Sequence, residues 1–386
     1  MSARLLLRAL PAPADRWRRW TGWLLGAGLA CALLPTAPAA ASPKSATATA
    51  SAASAPPVDA PAVVKRIRDA AQRRSYTGTF VVNSAGTMSS SRIVHFADGR
   101  NQVERIEALD GQMRRIYRHN DAVHVLWPKT REASIEPRDL LAGFPAPSLT
   151  DGPLAPDLYD LQSNGPDRVA GLETQVVTLK PRDALRYPQR LWLEPQSGLL
   201  LRADTLGPRG EVLESAAFSE LQLDAPLQPQ ALLQEMRRLD GYRIQKPLLQ
   251  RSDLDREGWQ LRNVPAGFQL VRCVRRPLHL PERGAGRSSA PSPSPTPTAT
   301  TVTAGAPPAP SEVGGLLQAT YSDGLALVSV FIEPFDAAVH LREGSASWGA
   351  TQAWTRRLAD WWVTVVGDVP LMALQQFSSG LEHRKP

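Results

Sequence analysis

Residues 76–127 read YTGTFVVNSAGTMSSSRIVHFADGRNQVERIEALDGQMRRIYRHNDAVHVLW, and this stretch decides the fold. Tyr76-Thr77-Gly78-Thr79-Phe80-Val81-Val82 alternates apolar and polar positions, and so does Arg92-Ile93-Val94-His95-Phe96 after a Ser/Gly loop. Further runs follow at Gln102–Leu109, Gln112–Arg118 and Val123–Trp127, punctuated by Asp98-Gly99, Asp110-Gly111 and Asn120-Asp121. Asp-Gly between alternating runs marks a hairpin, because both residues tolerate positive φ in a tight turn. The spacing leaves no room for helical crossovers, so the expectation is an antiparallel meander and not a doubly wound parallel sheet.

Working outward, Val63, Val64, Ile67, Ala70 and Ala71 recur at helical spacing between Asp59 and Arg74, with Asp59 placed to cap the first turn. Residues 137–166 carry six prolines among apolar side chains and read as an irregular segment laid over the sheet, a lid or a packed loop. Strands resume at Glu173–Leu179, Gln189–Glu194, Leu199–Leu206 and Glu211–Leu221. A polar stretch, 224–257, reads as a connector to a second β-rich unit. That unit comprises Trp259–Pro277, Leu316–Tyr321, Leu325–Glu333, Trp361–Val366 and a short helix from Pro370 to Ser378. Within it, 283–314 is a Ser/Pro/Thr/Ala/Gly run that cannot bury a core and is expected to be disordered. The expected class is α+β, mostly antiparallel β.

At the N-terminus, Arg4, Arg8, Arg16, Arg18 and Arg19 precede an apolar stretch from Trp20 to Leu34 and an Ala39-Ala40-Ala41 exit. This is the layout of a cleaved secretory signal over 1–41, with a disordered leader over 42–57. Five arginines and one aspartate fall in that segment, so +4 of the formal +7 leaves with it and +3 remains. A mature charge that small gives no case for nucleic-acid binding. Cys31 also leaves, and Cys273 remains as a lone thiol in an apolar run, read as a small buried hydrophobe.

The sequence holds no Gly-x-Ser-x-Gly elbow, no His-Glu-x-x-His, no phosphate loop and no dinucleotide fingerprint. His95, His119 and His124 have no metal-ligand spacing, so neither metal nor cofactor is expected, and the reading is a binding protein and not an enzyme. A curved sheet under a helix suits capture of an apolar ligand, with Phe80, Val82, Ile93, Phe96, Tyr117, Trp127, Trp192 and Leu200 as candidate lining.

Several segments together resemble the MucB/RseB regulators of the envelope-stress sigma factor. They are Ser75-Tyr76-Thr77-Gly78-Thr79-Phe80-Val81, Arg114-Arg115-Ile116-Tyr117-Arg118, Val264-Pro265-Ala266-Gly267-Phe268, Tyr321-Ser322-Asp323-Gly324-Leu325, Val328–Glu333 and Val363–Pro370. The resemblance implies a half-open β-barrel with covering helices over 58–223, similar to the lipoprotein carriers LolA and LolB. It also implies a smaller α+β domain over 258–380 that binds the periplasmic part of a membrane-bound anti-sigma factor. The resemblance further implies that the complex shields that factor from proteolysis and is released by lipid or lipopolysaccharide-type ligands. Phe268, Tyr321, Asp323, Phe331 and Glu333 are the residues to which the resemblance carries partner binding. A periplasmic lipoprotein or lipid carrier is the alternative reading, and homo-oligomers are compatible with either.

Overall fold

The computed structural model describes residues 59–120, 122–137, 154, 157–246, 249–276 and 315–384. The expected signal, the leader, most of the proline-rich segment and the 283–314 run lie outside the described residues. Among those described, twelve strands form one sheet and seven a second.

The first sheet opens with helix α1, Ala60–Arg73. Asp59 caps it, its carboxylate accepting from the Ala62 N–H at 2.8 Å. The buried face is Ala60, Val63, Val64, Ile67 and Ala70, close to the set that the helical spacing picks out. Then come β1 (Tyr76–Ser84), β2 (Thr87–Ala97), β3 (Gln102–Ala108), β4 (Arg115–His119), β5 (Ala122–Trp127) and β6 (Glu132–Pro137), each antiparallel to the one before. The Ser/Gly loop expected before Arg92 is instead a tight turn at Ala85-Gly86 inside a long hairpin, with φ of 52° and 77°. Alternation at Thr87–Ser91 is invisible because the side chains on both faces are small or polar.

The second run is β7 (Tyr159–Val169), β8 (Leu172–Pro181), β9 (Gln189–Leu193), β10 (Leu200–Leu206) and β11 (Val212–Leu223). It joins the first run through β1 against β11, with Phe80 opposite Phe218. Tyr159–Val169 corrects the expectation that 137–166 is irregular throughout. Pro166 is tolerated because β7 is the outermost strand, and a bulge between Ser163 and Gly165 absorbs the misfit. The strand order ends in β7 on one side and a short β12 (Arg243–Gln245) on the other, with no pairing between them, so the sheet stays open.

The stretch 224–257, expected as a connector, holds helix α2 (Pro229–Arg237), β12 and β13 (Gln250–Arg251). β12 lies parallel to β6 at the edge of the first sheet. The second sheet comprises β13, β15 (Gln269–Arg276), β16 (Leu316–Ser322), β17 (Leu327–Pro334), β20 (Trp361–Gly367), β19 (Thr351–Leu358) and β18 (Gly344–Trp348), in that order. Helix α3 (Leu371–Ser379) seals one face through Ala373, Leu374 and Phe377. β14 (Trp259–Leu261) pairs with β21 (Leu381–His383) beside it. The hairpin β18–β19 was not anticipated, since GSASWGATQAWTRRL mixes small, polar and aromatic residues without a clean period.

Candidate functional site

The long apolar layer beneath α1 is the first element of the site. Ala60, Val63, Val64 and Ile67 meet Val177, Leu179, Leu191, Leu193 and Leu200 of the sheet, together with Leu154 and Tyr159. Ala70 continues into a neighbouring cluster with Tyr76, Phe80, Ile93, Ile106, Trp192 and Phe218. The last turn of α1 is held by polar contacts. His95 Nε2 lies 3.0 Å from the Ala71 carbonyl, and its Nδ1 lies 3.0 Å from Glu104, which also accepts from Arg118 at 2.7 Å. Tyr76 stacks on the His95 ring with centroids 4.7 Å apart. Burial holds the Tyr76 hydroxyl well above its ordinary value, the Glu104 charge adding to the effect.

The expected lining residues fall into separate places. Phe80, Val82, Ile93 and Trp192 share one apolar cluster, and Leu200 belongs to the layer under α1. Trp192 is fixed, with its indole N–H donating to Asp167 at 2.8 Å and Arg202 lying 4.3 Å over the ring. Tyr117 points to the opposite face from Ile116, where α2 covers it: its hydroxyl donates to Glu235, which also takes Arg105 at 2.6 Å. Phe96 and Trp127 are half-buried and join neither cluster. The structure thus gathers five of the eight beneath or beside α1.

The second element is a polar seam between the two sheets. The turn after β16 carries Asp323, whose carboxylate meets Arg186 Nε at 2.5 Å, and both side chains are 0% exposed. The same carboxylate accepts from the Tyr159 hydroxyl at 3.0 Å and from the Leu325 and Ala326 N–H groups at 2.9 and 2.7 Å. Arg186 is completed by Asp183, by the Ala266 carbonyl and by the Phe268 ring 4.6 Å beneath its guanidinium. Burial first, then the Asp323 charge, keeps the Tyr159 hydroxyl well above its ordinary value, so it remains a donor. Leu325, two residues on, enters the apolar layer that α1 covers. One short turn therefore touches the helix layer and the ion pair together.

A second contact lies at the β18–β19 turn. Gly349, at φ +58°, sits against Ser84, the Leu213 carbonyl and the Ala85 N–H, where a Cβ would collide. Nearby, burial pushes the Glu214 and Asp368 carboxyls up, and Asp368 accepts from Thr351 at 2.6 Å.

Of the residues to which partner binding was carried, all five are buried. Phe268 and Tyr321 pack their rings on Phe377, at 5.4 and 5.3 Å between centroids. Glu333 lies 3.3 Å from His340, which stacks on Trp362, and Phe331 is interior. Asp323 belongs to the seam. Cys273 is buried in the same core, with its thiol pushed up to about 11 by desolvation. Sequence reasoning missed Arg186 and Tyr159, because an ion pair across 137 residues leaves no local period or spacing.

Two family models match the chain: the MucB/RseB N-terminal domain over residues 59–236 and the MucB/RseB C-terminal domain over 253–382. The sigma factor AlgU regulatory protein MucB of Pseudomonas aeruginosa is 30% identical over 323 residues, covering 81% of this chain and 87% of the relative. The sigma-E factor regulatory protein RseB of Haemophilus influenzae is 25% identical over 226 residues, covering 57% and 69%. In fold, the crystal structure of MucB in complex with MucA(peri) matches with a TM-score of 0.58 at 24% identity, over 85% of this chain and 100% of that one. The chain belongs to the MucB/RseB family.

Proposed function

We propose that the protein is an exported regulator of the periplasm that binds the periplasmic part of a membrane-bound anti-sigma factor. By shielding that factor from regulated proteolysis it restrains the envelope-stress response. A lipid or lipopolysaccharide-type ligand entering beneath α1 releases the partner. Capture of the ligand belongs to 58–223 and capture of the partner to 258–380. The observation that carries this reading is that both family halves are present in order along one chain whose relatives are named sigma factor regulatory proteins. The relative of matching fold is a complex of MucB with MucA(peri), which supports a polypeptide partner. No helix among the described residues is long and apolar enough to cross a membrane.

The seam supplies a physical route from ligand to partner. Leu325 shares its cluster with Val63, Val64 and Ile67, so an acyl chain that parts α1 from the sheet disturbs the turn bearing Asp323. Each methylene buried there stabilises the occupied form by about 0.8 kcal/mol, so a chain of ordinary length can compete with the helix. The test is titration of the protein with the purified periplasmic segment of the neighbouring anti-sigma factor, with and without lipid A fragments. Binding that lipid weakens is expected. Absence of binding in both conditions would remove the reading and leave the lipid carrier, which the apolar layer also favours. Binding that lipid leaves unchanged would remove only the release step.

A further inference from the structure

One sheet edge is left without the usual protection. β18 is the outer strand of the second sheet, and its pairing with β19 runs from Gly344 opposite Thr355 to Trp348 opposite Thr351 without a register shift. The turn between them is the two residues Gly349-Ala350, and only Gly349 has positive φ, as a type II′ turn requires. In such a hairpin the residues flanking the turn exchange hydrogen bonds, so Trp348, Ala346 and Gly344 bond to β19. The N–H and C=O of Ser345 and Ser347 therefore point away from β19, and both residues are exposed. Among the described residues, no hydrogen bond reaches them from that side.

Natural sheets blunt such edges with charge, proline, bulges or brevity, because unpaired strands invite another chain. The other three edges of the two large sheets follow that rule. β7 carries a bulge, Pro166 and the charged Asp160, Asp167 and Arg168. β12 has three residues, beginning with Arg243, and β13 has two, ending with Arg251. β18 is Gly-Ser-Ala-Ser-Trp, five residues with none of these guards.

We propose that β18 is the docking edge for an extended segment of the partner polypeptide, which adds to the second sheet as a further strand. This rests on the partner-binding reading above. Hydrogen bonding to Ser345 and Ser347 fits an extended backbone. Small Gly344 and Ala346 leave room on their face for bulky residues at alternate positions of the incoming strand, which favours a segment with β-branched or aromatic side chains at those positions. Leu341, 80% exposed, and Val339 extend apolar surface at the start of the edge. They stand on a loop that is already fixed, with the Asp336 N–H donating to His340 Nδ1 at 2.9 Å and the His340 N–H to the Asp336 carbonyl at 2.8 Å. A preordered loop lowers the entropy lost on docking. A second copy pairing antiparallel through β18 would carry its own 335–343 loop towards the far end of the strand. There the Ser84-Ala85 turn is already seated on Gly349, so a bare strand fits where a second copy is obstructed.

The experiment compares the full chain with Ser345→Pro, which deletes an outward N–H and no bond to β19, and with Ser345→Thr. The probe is the fluorescently labelled periplasmic segment of the anti-sigma factor. Ser345→Pro is expected to weaken binding at least about tenfold while Ser345→Thr binds as the parent does. Hydrogen exchange on the parent protein reads the same contact without a substitution, and the Ser345 and Ser347 amides are expected to become protected only in the complex. Equal affinity of parent and Ser345→Pro, or unprotected amides in the complex, overturns strand addition and leaves partner binding standing. Failure of the parent to bind overturns both. Loss of a dimer in Ser345→Pro by ultracentrifugation, with partner affinity unchanged, overturns it in favour of self-pairing.

Discussion

Two structures lie on the first sheet, and they differ in kind. Helix α1 contributes Ala60, Val63, Val64 and Ile67, apolar groups without a polar atom among them. The turn after β16 contributes Asp323 to an ion pair from which water is shut out. Apolar surface is satisfied by any apolar neighbour, since the hydrophobic effect has no direction. A buried charge is satisfied only by its own counter-charge in its own geometry. In the proposed mechanism the helix layer can therefore be exchanged for a ligand, whereas the seam is either made or broken. That difference is what a releasable regulator requires: one contact that yields to chemistry of a broad class, and one that switches.

The comparison breaks hardest at Asp323. Asp323→Ala leaves Arg186 buried with only the partly exposed Asp183 as counter-charge and strips Tyr159 of its acceptor, and about 3 kcal/mol of stability should be lost in denaturant unfolding. Pairing Asp323→Leu with Arg186→Met should recover most of that loss. If the double variant is as weak as the single one, shape and not charge holds the seam. Next comes Ile67→Ala, which opens a cavity in the helix layer for about 2–5 kcal/mol. An added acyl ligand should restore part of it, and restoration at Asp323→Ala instead would reverse the assignment of roles. Asp59→Ala removes only the cap of α1, costing about 1 kcal/mol, and should raise hydrogen exchange in its first turn without affecting the seam.

The smallest effect is expected at Asp368, because its Thr351 hydrogen bond survives in either protonation state. Burial raises its folded-state pKa above the ordinary 3.8. Its contribution to stability is therefore full below that value and is lost as pH rises through the raised one. Asp368→Asn, always neutral, should flatten the fall of melting temperature as pH rises above about 4. An unchanged slope would show that the second contact carries no buried charge.

Much of the first sheet could be read in advance. β1 to β5 follow from alternation and from Asp-Gly turns, and Gly99 and Gly111 do sit at positive φ. The face of α1 followed from spacing alone. β7 was hidden by Pro166, which an outer strand tolerates and an inner one does not, and edge position is not written in local sequence. Five of the eight candidate lining residues lie beneath or beside α1, but Tyr117 faces the other way, because alternation says which residues share a face and not which face meets which helix. The seam was illegible for a deeper reason. Arg186 gains meaning only from Asp323, and nothing near either residue names the other.

The junction of β1 with β11 has a consequence for how the protein is made. Every other antiparallel pair in the first sheet joins strands adjacent along the chain, so each run can zip up as local hairpins. Phe80 against Phe218 closes a loop that contains nearly the whole sheet. Closing it costs chain entropy before any contact repays it, so this step should set the folding rate. Until it happens, both β1 and β11 offer bare edges to other chains, which makes the newly made protein a natural client of chaperones.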